Sequence, residues 1–346
     1  MKLKLISLVL TAAFALTACE SKQPLVSDTD STQPVQTEQT TVAETTSQPS
    51  AASSDSSLPD TAKWAGWGQP YPGGSINLLD AQGKMLMPTS QIAASQPVFT
   101  LSYRFDLDGF DDDEVQVYII AAIGGEVCDL ELAGEKSTGG MLCVPKVLGR
   151  EYKETLKITD CGLKKGSGEI AVCMIGFCDK VGRAAVIQIN KEFCSDSDRK
   201  QQNRILAPDR CEQYVICENA DKNELFKSSN FEFEKGSYDE EKNLTTVAKG
   251  TKLFYRYINA NDERNAALDS DILLIVLKNG KPMKLFGGGD KAVLPLTHND
   301  YSVLLPIDEL NESGYAKYQM CLFRLGGEAP YTDFGRMFYV PGQEDI

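Results

Sequence analysis

From Val98 onward, apolar and polar positions fall either into strict alternation or into short unbroken apolar runs, and no long segment holds the 3.6-residue period of a helix. Val98 to Phe105 alternates and is rich in β-formers, and Val115 to Ile123 is nearly all apolar with many β-branched residues. That run meets Gly124-Gly125 and continues into an alternating stretch, Glu126 to Leu132. Later in the chain Ile272 to Leu277 meets Asn279-Gly280 and continues into Lys281 to Phe286. A Gly-Gly or Asn-Gly pair between apolar runs predicts a two-residue hairpin, because the type I′ turn needs positive φ at both central residues. Further strands are predicted near Thr155–Ile158, Glu169–Phe177 and Ala184–Ile189.

The two hairpins belong to a longer internal repeat. Leu101-Ser-Tyr-Arg-Phe105 returns as Leu253-Phe-Tyr-Arg-Tyr257, Pro145 as Pro295, and Tyr152 with Leu156 and Ile158 as Tyr301 with Leu305 and Ile307. Cys173 returns as Cys321 and Gly182-Arg183 as Gly335-Arg336. The order is kept, so two homologous units are expected, roughly 70–195 and 225–344. In the second, Leu305-x-Ile307-x-x-Leu310 is followed by Gly314, Tyr318 and Cys321. The first echoes it with Leu156, Ile158, Gly168, Ile170 and Cys173. These stretches resemble the corner between sheets in immunoglobulin-like domains, although neither unit has that family's central Trp or partner Cys. The resemblance implies an all-β fold: two tandem duplicated immunoglobulin-like β-sandwich domains after a disordered tether. The expected limits are 59–197 for the first domain, 198–224 for an inter-domain segment and 225–346 for the second domain.

The N-terminus has a different character. Lys2 and Lys4 precede an uncharged run, Leu5 to Thr17, that is too short to span a bilayer and has the length of a signal-peptide core. The run ends Leu16-Thr17-Ala18-Cys19. This resembles the lipobox of bacterial lipoproteins, which implies cleavage after residue 18 and diacylglycerol on the Cys19 thiol. Two or three acyl chains anchor stably where one does not. Glu20 follows, and the absence of Asp there favours the outer membrane under the enteric-type sorting pattern. Residues 19–58 are Ser-, Thr-, Gln- and acid-rich without aromatics, a composition expected of a flexible linker.

Removing residues 1–18 leaves 33 basic against 49 acidic residues, a net charge of −16. Such a chain excludes counterion-release binding to nucleic acid and leaves attachment to anionic lipid to the acyl anchor. Ten cysteines suit an exported protein. With Cys19 acylated, nine remain, an odd number. The disulfide candidates are Cys128, Cys143, Cys161, Cys178, Cys194, Cys211 and Cys217, with connectivity open. Cys321, equivalent to Cys173 and without another Cys in its unit, is the candidate free thiol.

Candidate chemistry is sparse. Asp106-Leu-Asp-Gly-Phe-Asp-Asp-Asp-Glu114 gathers six carboxylates after a strand, and Asn259 to Asp271 places further acids at the equivalent site. Hard oxygens on a loop suit calcium, with Asp106, Asp108, Asp111 and Asp113 as ligands, though the spacing is not that of an EF-hand; a solvated acidic turn is the alternative. Trp64 and Trp67, the only tryptophans, are either an exposed platform or a strap packed over the first sandwich, and the strap is preferred. His298 is the only histidine and makes no triad by itself. Gly287-Gly-Gly-Asp-Lys291 lacks the Walker spacing. No catalytic residue and no cofactor other than calcium is expected. The reading is a non-catalytic binding lipoprotein of the cell envelope, with a membrane anchor and a protein or glycan partner at exposed sheet edges or the inter-domain groove. The alternatives are an envelope hydrolase using paired carboxylates, and a periplasmic inhibitor or assembly factor.

Overall fold

The computed structural model describes Trp64 and residues 71–93, 97–159, 165–196, 215–218, 230–233, 236–242, 244–259, 272–285, 288–294, 301–325, 331–332 and 335–343. All belong to the compact unit Ser56–Ile346. The lipobox, the linker and His298 lie outside them.

The first half contains β1 (Gly73–Leu79), β2 (Gln91–Ile92), β3 (Val98–Asp106), β4 (Glu114–Ile123), β5 (Glu126–Leu132), β6 (Glu135–Lys136), β7 (Leu142–Val147), β8 (Tyr152–Thr159), β9 (Gly166–Cys178) and β10 (Arg183–Ser195). The second contains β11 (Val215–Glu218), β12 (Asn230–Phe233), β13 (Gly236–Asp239), β14 (Leu244–Val247), β15 (Thr251–Asn259), β16 (Ile272–Lys278), β17 (Lys281–Pro282), β18 (Ala292–Leu294), β19 (Tyr301–Leu310), β20 (Gly314–Arg324), β21 (Tyr331–Thr332) and β22 (Arg336–Val340).

In the first sandwich one sheet runs β1-β3-β8-β5 and the other β5-β4-β9-β10-β2. Strand β5 belongs to both, pairing with β4 over Glu126–Cys128 and with β8 over Asp129–Leu132. In the second sandwich the sheets run β11-β19-β15-β12 and β13-β14-β22-β20-β16-β17. The halves therefore correspond strand for strand: β3 to β15, β4 to β16, β8 to β19, β9 to β20 and β10 to β22. In each, the closing strand takes a parallel neighbour, β2 beside β10 and β14 beside β22. This is the duplicated immunoglobulin-like architecture that the repeat predicts. Val215–Glu218, within the expected inter-domain segment, pairs with β19 as part of the second sandwich.

Both hairpins form where the sequence places them. Gly124 and Gly125 have φ of 57° and 80° between the paired residues Ile123 and Glu126. Asn279 and Gly280 have 51° and 78° between Lys278 and Lys281. Each sandwich has its own core, the first holding Leu101, Phe105, Ile119, Ile158, Val172 and Met174, the second Leu253, Tyr255, Leu274, Leu305, Tyr318 and Phe338. Tyr318 is fully buried, and its hydroxyl donates to Asp308 Oδ2, which also accepts from Lys278 Nζ at 2.8 Å. Tyr318→Phe leaves that carboxylate one donor short and should cost about 1–2 kcal/mol in a denaturant melt.

A third core lies between the sandwiches. Successive strand residues point to opposite faces, so β4 sends Val117, Ile119 and Ala121 into its own sandwich and Tyr118, Ile120 and Ala122 outward. Strand β9 does the same with Ala171, Cys173, Ile175 and Phe177, β16 with Leu273, Ile275 and Leu277, and β20 with Cys321 and Phe323. The outward residues of both halves meet in one buried cluster. The unbroken apolar runs of β4 and β16 are thus explained: each strand is covered on both faces. Polar contacts stitch the rim. Tyr118 Oη donates to the Gly280 carbonyl at 2.9 Å, Gln188 Nε2 to the Arg324 carbonyl, and Lys291 Nζ to the Gly139 carbonyl. The seam closes the face between the domains, so the inter-domain groove expected as a contact surface is filled by core.

Candidate functional site

The acidic loop after β3 does not gather its carboxylates. Asp106 meets Arg104, Asp112 meets Arg150 at 3.1 Å, and Asp113 lies 3.6 Å from Lys180. Asp111 packs over Gly149, where an added Cβ would come within 2.8 Å of its Oδ1. The side chains are drawn apart by separate cations and neighbours, and among the described residues no three His, Cys, Asp or Glu side chains converge to hold a metal. The calcium ligands expected at Asp106, Asp108, Asp111 and Asp113 are not assembled into one set among the described residues. The loop from 260 to 271 lies outside the described residues.

Among the disulfide candidates, Cys143, Cys178 and Cys194 stand as free thiols. Cys143 is exposed on β7, while Cys178 points into the first core. Cys194, near the end of β10, has its thiol 3.5 Å from the Pro88 carbonyl. Cys128 is buried, its thiol donating to the Glu126 carbonyl at 3.3 Å. Cys161 and Cys211 lie outside the described residues, as does the side chain of Cys217 on β11. Cys173 and Cys321, equivalent in the repeat, are both buried in the seam. Burial alone pushes the Cys173 thiol far up, so a maleimide should label Cys143 in the native protein and leave Cys173 unmodified until denaturant is added. Peptide mapping of the labelled sites checks this.

Trp64 is 4 % exposed. Its ring meets Phe177 edge-on at 5.7 Å, and its Nε1 donates to the Asp179 carbonyl at 2.8 Å. Gly182 (φ 59°) makes room for it, since a Cβ there would lie 2.2 Å from the ring. Trp64 thus packs into the seam, as the strap reading expects; Trp67 lies outside the described residues. Gly182→Ala combines that clash with left-handed strain and should destabilise by about 2–3 kcal/mol, measured as a fall in Tm.

The rim beside Trp64 holds a group of donors that the sequence reading did not single out. Lys317 and Gln319 lie two apart on β20, on the face that carries Cys321 and Phe323 into the seam. Lys317 is 6 % exposed and Gln319 1 %. Among the described residues the buried Gln319 Nε2 meets no acceptor. Burial, with the Arg183 guanidinium as a neighbouring charge, pulls the Lys317 ammonium down to about 8. Arg183, the first residue of β10, lies over the Tyr71 ring at 6.0 Å, and Tyr71 is 40 % exposed. The repeat copies this stack: Arg336 lies over Tyr238 at 5.4 Å. In the second copy the guanidinium also donates to the Phe231 carbonyl at 3.4 Å. Only the first copy has the buried lysine of the opposite sandwich beside it. The sole sequence signal was a Lys and a Gln at outward positions of a strand whose other outward positions are apolar.

No family model matches the chain, and no curated protein matches it. Among solved structures, the chain is similar to the CooA pilin subunit from enterotoxigenic Escherichia coli, with 12 % identity over 35 % of this chain and 99 % of that one, at a TM-score of 0.23. It is similar to the C-terminal domain of the Streptococcus agalactiae AgI/II polypeptide BspA, with 9 % identity over 78 % of this chain and all of that one (100 %), at 0.19. It is also similar to part of red sea bream transglutaminase, with 8 % identity over 78 % of this chain and 31 % of that one, at 0.20. Scores this low place the chain in no family, and the fold stands on its own strand order.

Proposed function

We propose that the chain is a lipid-anchored, non-catalytic binding protein of the bacterial cell envelope. Cys19 carries the anchor at the outer membrane, residues 20–58 form a tether, and the joined sandwiches present one stiff body to a protein or glycan partner. The observation that carries this reading is the seam. Two units that bury their apolar sheet faces against each other leave their outer sheets and strand edges for a partner. Among the described residues strand β1 ends its sheet, and it has no charged residue between Gly73 and Leu79. An uncharged edge suits the addition of an extended segment from a partner protein, whose main chain would continue the ladder.

Cys19→Ser tests the anchor. The variant should move from the membrane fraction to the soluble fraction and lose acyl label. Protease treatment of intact against lysed cells then reports the orientation. Cleavage on intact cells supports display to an outside partner, and protection until lysis turns the reading toward an envelope-assembly partner. Unchanged membrane association of Cys19→Ser, or robust turnover in a panel of glycan and peptide hydrolysis assays, overturns the proposal.

A further inference from the structure

Four large apolar side chains are exposed among the described residues: Tyr71, Met85, Met87 and Tyr238. Two of the four are thioethers, and they lie two residues apart in the connection between β1 and β2. Leu86 between them is buried in the first core, and its N–H donates to the Leu78 carbonyl at 3.3 Å. That alternation leaves Met85 and Met87, each 54 % exposed, on the outer side of one short stretch. Residues i and i+2 of an extended chain are about 6–7 Å apart. Three rotatable bonds in each methionine let the two sulfurs close that gap on a shared ion.

A thiol is held at the same place. Met87 opens a tight turn that Ser90 closes: the Ser90 N–H donates to the Met87 carbonyl at 2.8 Å, and the Ser90 hydroxyl accepts from the Met87 N–H at 2.9 Å. Cys194, on β10, docks on that turn twice. Its N–H donates to the Ser90 carbonyl at 2.9 Å, and its thiol donates at 3.5 Å to the carbonyl of Pro88, the residue after Met87. These two bonds bring a partly exposed thiol from 106 residues away to the methionine pair.

We propose that Met85, Met87 and Cys194 form a surface site for a soft monovalent metal ion, Cu(I), with two thioethers and one thiolate as its ligands. Thioether and thiolate sulfur favour Cu(I), where carboxylate and carbonyl oxygen favour hard cations. Binding exchanges a proton for the metal. The Cys194 S–H bond breaks, an S–Cu bond forms, the proton leaves to water and the copper stays in its +1 state. The Cys194–Pro88 hydrogen bond is given up, and Ser90 still closes the turn. The inference rests on these three sulfurs and not on the envelope reading, so either can fail without the other.

The test is an anaerobic titration of the reduced full chain with Cu(I) in competition with the colorimetric chelator bicinchoninate. The remaining thiols are common to parent and variants, so the difference between them reports this site. The double variant Met85→Leu, Met87→Leu should hold one equivalent less of chelator-resistant Cu(I) than the parent, and so should Cys194→Ser. Leucine is close to methionine in volume and both positions are exposed, so the fold is not at risk. Cys143→Ser, which removes an exposed thiol on β7, should match the parent. Bound Cu(I) should also shield Cys194 from maleimide in the parent and much less in the double leucine variant. An undiminished equivalent in the double leucine variant or in Cys194→Ser overturns the proposal. So does the same loss in Cys143→Ser, or a disulfide at Cys194 in non-reducing peptide maps.

Discussion

In chloride buffer at pH 7, Lys317→Met should be more stable than the parent protein by about 3 kcal/mol, and the advantage should be gone by pH 11. The folded ammonium titrates near 8, against an ordinary value of 10.5, because burial and Arg183 disfavour its charge. At ~1.4 kcal/mol per pH unit, that gap sets the size of the effect. Below pH 8 the lysine is charged in both folded and unfolded chains, and folding carries the whole penalty. Between 8 and 10.5 the unfolded chain binds the extra proton, so the parent gains stability as pH rises. Above 10.5 both states are neutral and the penalty is gone. Denaturant melts of both proteins at pH 7, 9 and 11 check this, since other titrating groups cancel in the difference. An advantage that stays constant across this range would assign it to packing instead of charge.

The second large effect concerns the seam. Ile275→Asp should destabilise the whole Ser56–Ile346 unit by more than about 4 kcal/mol, enough to unfold most domains of ordinary stability. Ile275 is fully buried, yet it points away from the core of its own sandwich. If the two sandwiches were beads on a string, its side chain would face water and the substitution would cost within about 0.5 kcal/mol. In the closed seam, the carboxylate is buried within an apolar cluster. Ile275→Val, which removes one methylene from the same place, should cost only about 1 kcal/mol. Circular dichroism melts of the two variants separate the cases.

Much of this architecture can be read from the chain, and the unread part has physical causes. The hairpins at Gly124-Gly125 and Asn279-Gly280 were legible because positive φ at two consecutive positions restricts the residues that fit. The duplication was legible because Leu101 to Phe105, Pro145 and Gly182-Arg183 hold structural positions that a second copy must fill again. The seam was visible only as an anomaly. Period-two alternation is expected of a sandwich strand with one wet face, and Val115 to Ile123 lacks it, but an unbroken apolar run does not say what covers the second face. The acidic loop misled because sequence records the number of carboxylates and not their directions; Arg104, Arg150 and Lys180 pull three of them apart. Lys317 and Gln319 were missed because polar residues at outward positions of an edge-to-core strand look like ordinary solvent contacts until the opposite sandwich is in place.

The closed seam also bears on the order of events as the chain is made. Synthesis delivers the first sandwich before the second, and with it a finished sheet whose outer face carries Ile120, Ala122, Ile175 and Phe177. Until β16 and β20 arrive about a hundred residues later, Trp64 shields Phe177 but most of that face stays uncovered. The nascent protein therefore passes through a stage in which one sandwich is folded and adhesive, open to the matching face of a neighbouring chain. A stop codon placed between the units would lengthen that stage indefinitely, and its product is expected to associate with itself while the full chain does not.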